Sequence, residues 1–385
     1  MSYLSGYYPQ ILRDCVNKNT NTKKEYYISE KEFRNICKQL NGCDYENNNT
    51  SKNIQLKIEK LSSNIEELAR NQDRDLVNSW GIVIIENTIW VANNGSNTVT
   101  SYDLKGNKLQ TIVRINLPTG APGSPTGIVH NTSSSFIVSS PFLSGPSFAP
   151  ALWLAATEQG TIEAYNPTIS ASNTITVIDR TGSGVFYTGL AIVGTFLYAV
   201  DFHNKFINVF DGTFGQIFSF PFFDPSSTIP PTPDAIPEDF SPFNIVNIDG
   251  LLYVTYAKIF PNSNDDIPGE GNGFINVFNP LGVFVRRFAS RGPLNSPWAI
   301  IKYSSKSCVG NNLLLVGNSG DGTIIIYNQS GKFSGRINNC NNSTLFIDGL
   351  WGLAKSCNGT YFTAGPNNGN DGLLGRLLDG CKRIK

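Results

Sequence analysis

The chain has 385 residues, enough to bury roughly three-quarters of its unfolded surface. Lys plus Arg and Asp plus Glu are both 30, so the formal net charge is zero. That argues against a nucleic-acid partner, normally met with a basic excess, and gives no attraction to an acidic membrane surface. Charged residues are only 16%, with 36 Gly, 21 Pro and 24 Phe, which points to a turn-rich β protein and excludes a coiled coil, a helical bundle or a disordered chain.

Charge divides the chain. Residues 1–78 hold 23 of the 60 charged residues, so a polar N-terminal extension, residues 1–53, is expected before a globular body from residue 54 onward. Residues 29–40 predict a helix: Ser29 and Glu32 form a capping-box pair, and Phe33, Ile36, Cys37 and Leu40 recur at helical spacing. The Asn-rich stretch after it reads as a linker. Residues 54–68 fit two heptads, but residues 54–60 also alternate as a half-buried strand does. Two heptads are marginal in water, so a strand is expected. The longest apolar run, residues 189–200, is too short to cross a bilayer. The first residues lack the basic start and apolar stretch of a secretory signal.

From residue 79 a short pattern recurs: a turn, an aromatic residue or Thr, a small residue, then an apolar strand. It reads Ser79-Trp80-Gly81-Ile82, Pro125-Thr126-Gly127-Ile128 and Tyr187-Thr188-Gly189-Leu190. It continues as Pro242-Phe243-Asn244-Ile245, Pro297-Trp298-Ala299-Ile300 and Leu350-Trp351-Gly352-Leu353. The small positions are 46, 62, 55, 55 and 53 residues apart. Each of the first five is followed by a second strand and then an aromatic–Asp or aromatic–Asn pair, as in Tyr102-Asp103 and Phe210-Asp211. Six such units predict an all-β, six-bladed propeller. The small residues suit innermost strands converging on an axis. The sixth unit ends without a clear fourth strand, and an open edge is a liability, so residues 54–60 are expected to close the ring.

The blade segments, such as Leu197-Tyr-Ala-Val-Asp-Phe-His-Asn-Lys-Phe-Ile-Asn-Val-Phe-Asp-Gly, resemble NHL-type propellers. Longer stretches, including Asp75-Leu-Val-Asn-Ser-Trp-Gly and Phe288-Ala-Ser-Arg-Gly-Pro-Leu-Asn-Ser-Pro-Trp, resemble a family of NHL-like six-bladed propellers found mainly in bacteria. The resemblance spans residues 54–378. It implies the fold and no activity. The Asn-rich loops and the extension are similar to those of mimivirus-type giant-virus proteins, which implies a place in the host cytoplasm, the viral factory or the virion.

Seven cysteines (Cys15, Cys37, Cys43, Cys308, Cys340, Cys357, Cys381) contain no CxxC pair, so no zinc site is indicated. Free thiols are expected, ahead of a Cys308–Cys357 bridge between matching positions of adjacent blades. Propeller sites lie on the loops between middle strands and at the starts of inner strands. His203 beside Asp201 is one candidate binding group there. The loop 259–272 is oversized and carries Asp265, Asp266 and Glu270. No cofactor is expected, except that this loop offers oxygens to a Ca²⁺ ion, though without the EF-hand order. The connection 218–242 is Pro- and Phe-rich, and Phe222 and Phe223 are candidate anchors for a partner surface shared with the acidic loop. The function expected is non-enzymatic binding or structural, with a protein or glycan partner. The alternative is a metal-dependent, lactonase-like hydrolase with its site at the channel mouth. Against it, the inner-strand starts supply only Asn244 and Asp348 as oxygen ligands, too few for calcium.

Overall fold

The computed structural model describes residues 54–139, 148–220, 222–227, 234–303, 313–379 and 381. The expected helix at 29–40 and Cys308 lie outside them. Six antiparallel sheets follow one another along the chain. Blade one is Ser79–Ile85, Thr88–Asn93, Thr98–Asp103 and Lys108–Arg114. Blade two is Pro125–His130, Trp153–Thr157, Thr161–Tyr165 and Ile175–Asp179, with an added hairpin, Ile137–Ser139 and Phe148–Pro150. Blade three is Tyr187–Val193, Phe196–Asp201, Phe206–Phe210 and a two-residue outer strand, Gln216–Ile217. Blade four is Phe240–Ile248, Leu251–Lys258, Gly273–Phe278 and Phe284–Ser290. Blade five is Pro297–Tyr303, Leu313–Asn318, Ile324–Tyr327 and Phe333–Arg336. Inner strands touch in ring order from blade one to blade six and back to blade one. The fold is the all-β six-bladed propeller.

Blade six draws on both ends of the described chain. Leu350–Ser356, Gly359–Ala364 and Leu373–Asp379 supply three strands, and Leu56–Ser63 supplies the outer one, antiparallel from Leu56 opposite Asp379 to Ser63 opposite Leu373. A bulge at Leu61 leaves that side chain fully buried. The free-thiol expectation fails at two positions. Cys340 and Cys381 form a disulfide with Cα atoms 5.1 Å apart, inside the window a bridge requires. Cys357 is an exposed free thiol.

The repeated small residue has a steric cause. A Cβ on Gly81 would lie 2.5 Å from Thr126 O, one on Gly127 2.8 Å from Gly189 Cα, and one on Gly352 2.6 Å from Trp80 O. These are backbone atoms of the next inner strand, which cannot yield cheaply. The residue before the small position is handled differently. In all six blades the register between first and second strands slips by one residue there. A bulge re-aims a side chain, and these turn to the axis. Trp80 stacks on Trp351 at 3.7 Å, Trp298 meets both edge-on, and Phe243 lies 6.1 Å from Trp351. Contacts between blades four and six, and between one and five, can form only across the axis. The two remaining positions carry threonines whose hydroxyls knit neighbours together: Thr126 Oγ1 donates to Tyr187 O at 2.8 Å, and Thr188 Oγ1 to Phe243 O at 2.7 Å.

Candidate recognition face

The register sets which loops share a face. Inner strands begin beside the end of the second strand, as Ser79 pairs with Asn93, and Asn93 pairs with Thr98 of the third. The starts of the inner strands and the loops between second and third strands therefore lie together. The axis beneath them is filled. Trp80, Trp298 and Phe243 are buried, while Trp351 is half-buried. Asn244, an oxygen group expected to be available to a channel metal, is committed to the scaffold. Its Nδ2 donates to Trp298 O at 2.8 Å and its Oδ1 accepts from Ile245 N–H at 2.8 Å. Asp348 accepts from Asn367 N–H at 3.1 Å. An apolar axis with both oxygen groups engaged does not fit a hard cation.

The blade-four loop 259–272 shapes this face. Ile259 and Asp266 form an antiparallel bridge, and Phe260 N–H donates to Asp265 O at 3.0 Å. Within it, Ser263 Oγ donates to Asp265 Oδ2 at 2.8 Å. The tip leans over blade three, where Asn264 Oδ1 lies 2.6 Å from His203 Nδ1. It reaches further still. The charge of Asp265 acts on Glu158, which starts the corresponding loop of blade two. Burial, with Asp265 adding to it, pushes the Glu158 carboxyl up despite the hydrogen bond from Asn94 Nδ2 at 2.8 Å. Asp266 is pushed up chiefly by burial, with the charge of Asp265 adding to it. Among the described residues, none of Glu158, Asp265 and Asp266 has an ion-pair partner.

The residues singled out from the sequence separate into three places. His203 and the Asp265–Asp266 pair come together on this face. Asp201, though on the His203 turn, is buried and serves that turn: its carboxylate accepts from Asn204 Nδ2 at 2.8 Å, Asn204 N–H at 3.2 Å and Phe186 N–H at 3.3 Å. Glu270 points away to Arg336, 3.3 Å distant. The three carboxylates of the loop thus do not converge, and among the described residues no group of three or more His, Cys, Asp or Glu side chains is placed to hold a metal. Phe222 lies elsewhere. It packs on Tyr198 (5.9 Å) and Phe278 (5.2 Å), at the end of the Gly273–Phe278 strand remote from the acidic loop. Phe223 beside it is 51% exposed. The expected union of the ridge and the loop through Phe222 is not what the packing shows. Glu158 carries no mark in the sequence that separates it from other polar turn residues. Its significance comes from a loop two blades away.

No protein-family model matches the chain. Over 332 residues it is 39% identical to uncharacterized protein R648 of Acanthamoeba polyphaga mimivirus, covering 85% of this chain and 80% of that protein. Over 328 residues it is 38% identical to uncharacterized protein L690 of the same virus, covering 84% and 85%. The chain belongs to this family of mimivirus propeller proteins. Among solved structures, a streptogramin B lyase is matched with a TM-score of 0.48 at 12% identity, over 86% of this chain and all of that one. Among the described residues no helix is long and apolar enough to cross a membrane.

Proposed function

We propose that this protein is a non-enzymatic binding propeller whose acidic loop face takes a basic segment of a protein partner, in the virion or the viral factory. The observation that carries the reading is the blade-four loop bridging to blade three at His203 and bringing Asp265 into charge range of Glu158. Asp265, like Glu158 and Asp266 without an ion-pair partner among the described residues, disfavours the ionised forms of both neighbours. A lysine or arginine docked among them relieves that repulsion and gains charge-assisted hydrogen bonds. The filled axis supports binding at the surface over chemistry in a channel. Charge of this kind governs association rate and specificity more than final affinity.

The test is titration of the full chain with a lysine-rich octapeptide and, in parallel, a neutral oligosaccharide. Binding of the peptide should weaken with salt and be lost in the Glu158→Gln, Asp265→Asn, Asp266→Asn triple variant at unchanged melting temperature. The sign of the pH dependence follows from the raised carboxyls. A bound cation favours their ionised forms, so affinity should rise as pH climbs through the raised Glu158 value. Oligosaccharide binding without peptide binding, or peptide binding indifferent to the triple variant, would overturn the reading.

A further inference from the structure

The two ends of the ring meet at one place. Leu56 opens the closing strand opposite Asp379, and its N–H donates to Asn338 O at 2.9 Å. Asn338 N–H donates in turn to Ile54 O at 2.9 Å, and Gln55 bridges Asn338 in parallel. The entry of the closing strand is therefore held between the loop leaving blade five and the last strand of blade six. The disulfide joins those same two neighbours. Cys340 stands two residues after Asn338, and Cys381 two residues after Asp379. Cys340 is exposed and Cys381 half-buried, so the bond is open to attack by an external thiolate. Tyr303 Oη, donating to Asp379 Oδ1 at 2.9 Å, ties blade five to the same strand end.

We propose that Cys340 and Cys381 form a reversible redox latch on ring closure. Oxidised, the pair clamps blade five and the C-terminal strand around residues 54–56. Reduced, it leaves the entry of the closing strand held by hydrogen bonds, and that strand opens locally more often. In closing the latch, the two thiols give up two electrons and two protons to a partner disulfide, of the kind carried by a thiol–disulfide oxidoreductase, which leaves as two thiols. Reduction is the reverse exchange, through a mixed disulfide at Cys340, the more exposed of the two residues. The bond closes a loop with a sequence separation of 41 residues, long enough to constrain the open form substantially.

The experiment uses the full chain in a Cys357→Ser background, so that the exposed thiol cannot shuffle. Unreduced protein is alkylated and mapped by mass spectrometry, and amide exchange is then followed with and without reductant. Cys340 and Cys381 should be protected from alkylation until reduced. Reduction should speed exchange in Leu56–Ser63 about tenfold and lower the melting temperature by about 5 °C. Exchange in Phe196–Asp201 of blade three should change less than about twofold, because a latch acts locally. A Cys340→Ser, Cys381→Ser variant should match the reduced protein and ignore reductant. If that variant does not fold, the reduced Cys357→Ser arm still decides. Alkylation of both cysteines before reduction, unchanged exchange in the closing strand, or equal acceleration in every blade would each overturn the latch.

Discussion

Blade six and blade three solve one problem in two ways. Each has a third strand whose outer edge must be covered. Blade six covers it with main chain: seven residues between Leu56 and Ser63 pair, Leu61 being the bulge, and Asn71–Gln72 adds a parallel pair beyond. Blade three has only Gln216–Ile217 there, pairing with Val209 and Phe210, and the chain then leaves the sheet. Side chains then fill the gap between blades three and four. Phe220 packs on Phe196 at 5.3 Å, and Phe222 on Tyr198 and Phe278. On the blade-four side, Asp224 pairs with Arg287 and accepts from Asn276 Nδ2 at 3.1 Å. Burial pushes the Asp224 carboxyl up, but hydrogen bonds from Ser226, Asn276 and Arg287 outweigh it and hold the group low. The difference teaches that a propeller edge can be closed by backbone pairing, which is cooperative, or by separate plugs, which fail one at a time.

The largest expected effect is on the paired edge. Removing residues 1–53 should leave the melting temperature within a few degrees, whereas removing residues 1–63 strips the outer strand with buried Leu56 and Leu61 and should leave insoluble or molten protein. Equal melting of the two truncations would erase the contrast. Next comes the plug at Asp224. Asp224→Ala leaves Arg287 unpaired in a largely buried site and should cost about 3 kcal/mol by denaturant titration. Phe222→Ala should cost about 2 kcal/mol, since the ring is half-buried against two aromatics, and Phe223→Ala less than about 0.5 kcal/mol. A reversed order would mean that Phe223, and not Phe222, fills the gap between blades three and four.

The smallest expected effect is one of pH. Glu59, on the closing strand, is held low chiefly by the Arg376 hydrogen bond, with Arg70 also pairing to it. A carboxyl depressed in the folded state stabilises above its unfolded value and loses that contribution as pH falls through the folded one. Acidification below the ordinary carboxylate range should therefore loosen both edges. Glu59→Gln should flatten the acid dependence of amide exchange in blade six and leave that of blade four, where Asn276 and Arg287 hold Asp224, unchanged.

The six-fold repeat, its small residues and the alternation at 54–60 were legible in the sequence because each is a local signal. A backbone crowding rule excludes side chains one position at a time, and a period of two residues is written along a single strand. Other features were legible only as residue types. The aromatic-or-Thr position was plain in the repeat, but its destination depends on a one-residue bulge, and a bulge exists only between two paired strands. Cys340 and Cys381 carry no mark that separates them from the other five cysteines. They became partners because closing the ring brings a loop of blade five to the end of the chain. Glu158 and Asp265 are 107 positions apart, and the charge of one reaches the other through the lean of a loop that no periodicity encodes. Phe222 and Phe223 are neighbours of one type with different surroundings: one packs on Tyr198 and Phe278, the other is exposed. Sequence alone determined what repeats along the chain. The tertiary structure decided what meets across it, because distance, direction and burial are properties of pairs.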